Sequence, residues 1–239
     1  VVNYLVAQHG VDNFVTVANA YQDSGSLEKA EATFAAMQQG VPFILQAVLW
    51  NPNNRTFGMP DILVRSDWLN RITDTDSIGS EATMKAPVFD GNYHYRVIDV
   101  KFTTLRFDSS YTFLLDGHSS QKAYKTQLAI YNRALGRLQG YEPPQAYLLG
   151  RRCAYGPRGK TANKHALERL APVDFSDKDA QFYERAEEAV EWYRRMQNEG
   201  HDWHVYPEPS VPELWPNCKN KRNYPWEGAT SEIATKLKE

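Results

Sequence analysis

The sequence predicts an α/β fold, a mixed central sheet flanked by helices, with a helical and irregular C-terminal extension. Three observations predict it. Short apolar, β-prone runs recur at 41–50, 62–64, 95–105 and 146–149. Amphipathic helical patterns fall before, between and after them, at 26–39, 119–139 and 176–199. The resulting order, helix, strand, strand, strand, helix, strand, helix, is that of a sheet with helices packed on it.

The first helix spans 26–39, with Ser26 as N-cap and Gly40 as stop. Leu27, Ala30, Phe34 and Met37 form its expected buried stripe, and Glu31 lies at the stripe's edge. Val41 to Trp50 reads as one strand, ended by the turn signal Asn51-Pro52-Asn53-Asn54. Ile62-Leu63-Val64 follows Gly58 as a short buried strand. Residues 66–94 are rich in Asp, Ser, Thr and Gly and read as an insertion. On the strand Tyr95 to Leu105, alternation places Ile98, Val100 and Phe102 on one face and Val97, Asp99 and Lys101 on the other.

The helix 119–139 carries an apolar face of Tyr124, Leu128, Tyr131, Leu135 and Leu138, with Lys122, Lys125, Arg133 and Arg137 expected nearly opposite. Gln127 lies on the apolar side, one turn before Tyr131. After the strand Ala146–Leu149, the helix 176–199 has Ser176 as cap, Asp179 in a capping-box-like pattern and Gly200 as stop. These elements make one domain over 1–239, with a core of about 26–150 and an extension from 151 onward. The chain opens at Val1 and ends in Lys236-Leu237-Lys238-Glu239, and is read as a domain cut from a longer protein.

Composition narrows the function classes. A net charge of −2 excludes a uniformly basic nucleic-acid coat but allows a local basic patch. Two cysteines, Cys153 and Cys218, cannot build a disulfide scaffold, a four-thiolate zinc site or a four-cysteine iron–sulfur cluster. An intracellular location, cytoplasm or nucleoid or nucleus, is expected rather than secretion. No apolar run approaches a membrane span. His201 and His204 lack a nearby cysteine and read as surface histidines.

Asp61, Asp99 and Lys101 carry the chemistry. Phosphodiester hydrolysis at a hard divalent cation needs oxygen ligands to hold the ion, which polarises the phosphate and lowers the pKa of bound water. An ammonium nearby orients the attacking water and offsets developing negative charge. The spacing Asp99-Val100-Lys101 on a strand puts carboxylate and ammonium on one face, the Val100 carbonyl is a further oxygen donor, and Asp61 opens the preceding strand. Taken singly, each feature is a common surface pattern. An Asp inside the run Val97-Ile98-Asp99-Val100-Lys101-Phe102 is not, because burying an unpaired charge is costly.

Gly58-Met59-Pro60-Asp61, then Ile98-Asp99-Val100-Lys101, then Gln127-Leu128-Ala129-Ile130-Tyr131 resemble the PD-(D/E)xK nuclease superfamily, in its RecB-like branch with a Gln-x-x-x-Tyr helix. The resemblance covers roughly residues 26–150. It implies a restriction-endonuclease-like core and Mg²⁺- or Mn²⁺-dependent cleavage of DNA in recombination, repair or viral and mobile-element DNA processing, within a longer chain or a helicase or recombination complex. Asp61, Asp99 and the Val100 carbonyl would hold the metal, Lys101 would be the catalytic lysine, and Gln127 and Tyr131 would line the site. An acidic residue on the preceding helix is also implied, and Glu31 is the candidate. The long gap between Asp61 and Asp99 departs from the family pattern and suggests an inserted, substrate-facing element.

Arg151, Arg152, Arg158, Lys160 and Lys164, with Tyr155 among them and no acid between, form the expected nucleic-acid loop. A second such cluster, Lys219, Lys221, Arg222, Tyr224 and Trp226, lies in the tail. Two other readings remain: a catalytically inactive DNA-binding domain on the same fold, and a different metal-dependent enzyme such as a phosphatase. The latter would be favoured by a P-loop, which the sequence lacks.

Overall fold

The central strands are apolar on both faces, and both faces are covered. In a computed structural model of the chain, residues 1–117, 119–156, 162–205, 208–214, 232 and 235–236 are described. The chain divides into two compact units, 1–187 and 188–239.

The first unit holds α1 (Val2–His9), β1 (Phe14–Thr16), α2 (Leu27–Gln38), β2 (Phe43–Leu45), β3 (Leu49–Asn51), β4 (Thr56–Gly58), β5 (Ile62–Arg65), β6 (Tyr95–Arg106), α3 (Ser119–Gln139), β7 (Gln145–Tyr155), β8 (Ala162–His165) and β9 (Ala171–Asp174). It also holds the start of α4 (Gln181–Glu199). Seven strands form a mixed sheet in the order β1-β2-β5-β6-β7-β8, with β9 also on β7. Pairs β1/β2 and β6/β7 are parallel and the others antiparallel. Strands β3 and β4 form a separate hairpin.

Alternation sorts the side chains into two cores. Ile44, Leu63, Val97 and Leu148 pack with Met37 of α2, Leu128 and Leu135 of α3, and Phe182 of α4. Phe43, Ile62, Val64, Ile98 and Leu149 pack on the other side with Leu5 of α1 and with Leu69 and Ile72. Burial on both faces explains why these strands read as continuous apolar runs.

Several expectations change. The strand expected over Val41–Trp50 breaks after Leu45, because Gln46 turns the backbone into the left-handed region (φ 48°). Ser26 caps α2 as expected, its Oγ accepting from the Lys29 N–H at 3.3 Å, but Leu27 is exposed and Thr33, Ala36 and Met37 face the core. The segment 66–94 contains only short 3₁₀ turns, Ser66–Arg71 and Gly79–Thr83. It is tied down by buried Arg96, whose Nε donates to His94 Nε2 at 2.8 Å and which pairs with Glu81. Burial, then the Arg96 charge, pushes the His94 pKa down to about 4 and keeps the ring neutral.

Lys125 is the clearest change on α3. It was expected on the exposed side, yet it is 0 % exposed and pairs with Asp116 at 2.6 Å and Asp179 at 2.7 Å. By helical angle it sits amid Gln121, Leu128, Ala129 and Asn132, all buried. Asp179, its partner, also accepts the Asp174 N–H at 3.0 Å, so it is held in a turn and α4 begins at Gln181 rather than near Ser176. Removing the ammonium strands the buried Asp179 carboxylate. Lys125→Met is expected to cost about 3–5 kcal/mol in urea unfolding. A loss below about 1 kcal/mol would show that Asp179 finds another partner or water.

The second unit contains the rest of α4, which ends at Glu199 before Gly200 as expected. Trp192 stacks on Trp203 with centroids 5.0 Å apart, and Arg195 pairs with Glu199 and Glu213. Among the described residues no helix is long and apolar enough to cross a membrane.

Candidate metal centre

Strand β5 pairs with β6 only as far as Ile62 opposite Ile98. Beyond that point β5 no longer pairs with β6, and at Val100 the side chain of Asp61 takes the place of its backbone. Its Oδ2 accepts the Val100 N–H at 2.7 Å. Because the N–H and C=O of a strand residue point the same way, the Val100 carbonyl lies on this side too. The other Asp61 oxygen accepts from Gln46 Nε2 at 3.0 Å, and the Gln46 N–H donates to the Asp61 carbonyl at 2.9 Å. The break in the strand at Gln46 thus serves to orient Asp61.

Asp99 lies next along β6, 3 % exposed and on the face covered by α3. Its Oδ2 meets Lys101 Nζ at 2.5 Å, yet that oxygen has no well-directed hydrogen bond. Burial pushes its pKa up to about 6, the Lys101 ammonium pulls it down, and the Asp61 carboxyl beside it raises it again. Two carboxyl groups crowded together, one of them buried, fit a hard divalent cation.

From Lys101 the contacts run on to α3. Lys101 Nζ donates to Gln127 Oε1 at 2.8 Å and lies 4.9 Å from the centre of the Tyr124 ring. Gln127 Nε2 donates to the Tyr131 hydroxyl at 2.7 Å. Burial raises the Tyr131 pKa, so the hydroxyl stays neutral. The structure therefore joins Asp61, Asp99, Lys101, Gln127 and Tyr131 into one connected group.

Gly58 explains itself here. A Cβ at that position would lie 2.1 Å from Tyr131 Cε1, so the ring rests on bare backbone. Gly58→Ala is expected to push Tyr131 aside, cost about 1–3 kcal/mol in urea unfolding and disturb Gln127 with it. Unchanged stability would mean the ring has room to move.

Other expected site residues fall elsewhere. Glu31 is exposed on α2, away from the Thr33 and Met37 face that packs on the sheet. Among the described residues no group of three or more His, Cys, Asp or Glu could hold a metal, so Glu31 does not join the two aspartates. His201 is exposed, 3.2 Å from Asp202.

The basic loop is largely a hairpin. Arg151, Arg152 and Tyr155 belong to β7, and Lys164 belongs to β8. Arg151 and Arg152 are exposed. Tyr155 is half-buried and stacked on Tyr111 with centroids 4.2 Å apart, so one face of its ring is already covered. Lys164 pairs with Glu168 at 3.3 Å. Arg158, Lys160 and the tail cluster at 219–226 lie outside the described residues.

Two residues escaped sequence reasoning. Gln46 was the one polar side chain inside an apolar run, and that was its only signal. Phe102 was expected to share a face with Ile98 and Val100, but it is 87 % exposed at a β-bulge between Lys101 and Thr104. The chain matches no family model and none of the curated proteins with which it was compared.

Proposed function

We propose that this protein is a divalent-metal-dependent DNA nuclease of the PD-(D/E)xK type, on a restriction-endonuclease-like core. The observation that carries this reading is the single chain of contacts Asp61, Asp99, Lys101, Gln127, Tyr131, drawn from three separate sequence motifs. Asp61, Asp99 and the Val100 carbonyl would hold Mg²⁺ or Mn²⁺, with water and the substrate phosphate completing the shell. The cation, when bound, would polarise the phosphate and acidify its water.

The chain's own residues do the rest. Val100 N–H and Gln46 fix both Asp61 oxygens. Gln127 holds the Lys101 ammonium beside Asp99, where it can orient a water and offset charge that develops on the phosphate. Tyr131 locks Gln127 in turn. Recombination, repair and the processing of viral or mobile DNA are the settings in which such an activity serves.

The test is incubation of supercoiled plasmid and end-labelled linear DNA with Mg²⁺, Mn²⁺ or EDTA. Cleavage with either metal and none in EDTA is expected. Cleavage that persists in EDTA, or DNA left intact in both metals, would overturn the reading.

A further inference from the structure

The β-bulge after Lys101 sets two residues of β6, Phe102 and Thr103, against Arg151 alone on β7. One consequence is the exposed Phe102 ring. The Arg151 guanidinium lies 5.0 Å from the ring centre. Beside this pair runs a groove of about 320 Å³, bounded further by Thr104, Arg106, Ser120 and Gln121.

Three features give the groove a ligand chemistry. Arg106 and Arg151 are exposed on its walls, and among the described residues no carboxylate lines it. It reaches the first turn of α3, where backbone N–H groups lack helical partners and favour anions. Gln121, 3 % exposed, donates Nε2 to the Arg106 carbonyl at 3.2 Å, and among the described residues its buried Oε1 has no hydrogen-bond partner. That oxygen is an acceptor waiting for a donor. Cations for phosphates, an aromatic face for a base and an acceptor for a base or sugar donor together describe one unpaired nucleotide.

Position connects the groove to the metal centre. Thr103 lies two residues beyond Lys101 on β6, roughly 7 Å along the strand. Gln121 lies about one turn before Tyr124 on α3, whose ring the Lys101 ammonium faces. A strand held at Asp61 and Asp99 would continue into this groove.

We infer that Phe102, Arg106, Arg151 and Gln121 form a subsite for an unpaired nucleotide next to the cleaved phosphate, so that the protein takes single-stranded or frayed DNA. Phe102 stacks on the base, and the two arginines hold its flanking phosphates. The inference rests on the nuclease reading for the direction of the strand.

The test is fluorescence anisotropy in EDTA with a short oligothymidylate and with a blunt duplex, so that no cleavage is needed. Phe102→Ala should weaken oligothymidylate binding about tenfold, the size of one lost stacking contact, and leave the duplex unchanged. Phe102→Trp should retain binding. Arg151→Ala should lower the slope of log affinity against log salt by about one, whereas Phe102→Ala should leave that slope alone. Phe102 is exposed, and an unchanged circular dichroism spectrum would show that its variants fold. Undiminished oligothymidylate binding by Phe102→Ala, an equal loss on the duplex, or no binding by the wild type would overturn the subsite. The two readings fail separately. A wild type that cleaves with Mg²⁺ while Phe102→Ala binds normally loses only the subsite. A wild type that never cleaves yet binds through Phe102 loses only the nuclease.

Discussion

Asp99→Asn should abolish metal-dependent cleavage and at the same time stabilise the metal-free protein at pH 8. The two effects share a cause. Burial holds the Asp99 pKa at about 6, above its ordinary 3.8, so the folded chain binds this proton more tightly than the unfolded chain does. The stability that follows is fully present below about pH 4 and lost as pH rises through 6. At pH 8 the carboxylate is ionised against the cost of burial, offset in part by Lys101. Asparagine keeps the shape without the charge. A gain of about 1–3 kcal/mol is expected at pH 8, and none at pH 4, by urea unfolding in EDTA. Cleavage should fall by at least roughly 10³-fold, since a neutral amide is a poor ligand for a hard cation. A variant that cleaves normally would remove Asp99 from the mechanism. One that is less stable than wild type at pH 8 would show that the Lys101 pair outweighs the burial cost.

Lys101→Ala should separate chemistry from metal binding. The ammonium touches Asp99 and Gln127 but is no ligand. Its proposed contribution is felt as charge develops, so turnover should drop on the order of 10²–10³-fold while Mn²⁺ affinity holds or rises. Affinity rises if the lost cation had been competing for Asp99. Single-turnover rates with saturating Mn²⁺, beside a Mn²⁺ titration, check both halves. Near wild-type turnover would leave Lys101 a structural partner of Gln127.

Periodicity was enough to find the main elements. Helix α3 runs Ser119–Gln139, as its pattern of apolar residues says, and β6 covers the run that holds Asp99 and Lys101. Alternation put Asp99 and Lys101 on one face, and helical spacing put Gln127 and Tyr131 on another; the structure brings the two faces together. What was not legible depended on partners far along the chain. Lys125 is buried because Asp179, 54 residues on, meets it there. Gln46 breaks a strand whose composition favours continuation, because its amide is held by Asp61. Arg151 and Arg152 looked like a loop, since two consecutive cations carry no strand periodicity, yet both belong to β7, and β8 pairs with it from Arg152 to Tyr155 as a hairpin arm. Glu31 lies at the edge of the stripe that the spacing predicts for α2, but Thr33, Ala36 and Met37 are the buried residues there and Glu31 is exposed.

On the nuclease reading, Asp61 and Asp99 form a cation site. Calorimetric titration of Mn²⁺ into the metal-free wild type and Asp99→Asn, at pH 7.5 and without DNA, tests it most directly. Saturable Mn²⁺ binding is expected in the wild type, weakened at least tenfold in the variant. Equal Mn²⁺ affinity in the two proteins, or no saturable binding in the wild type, would contradict it.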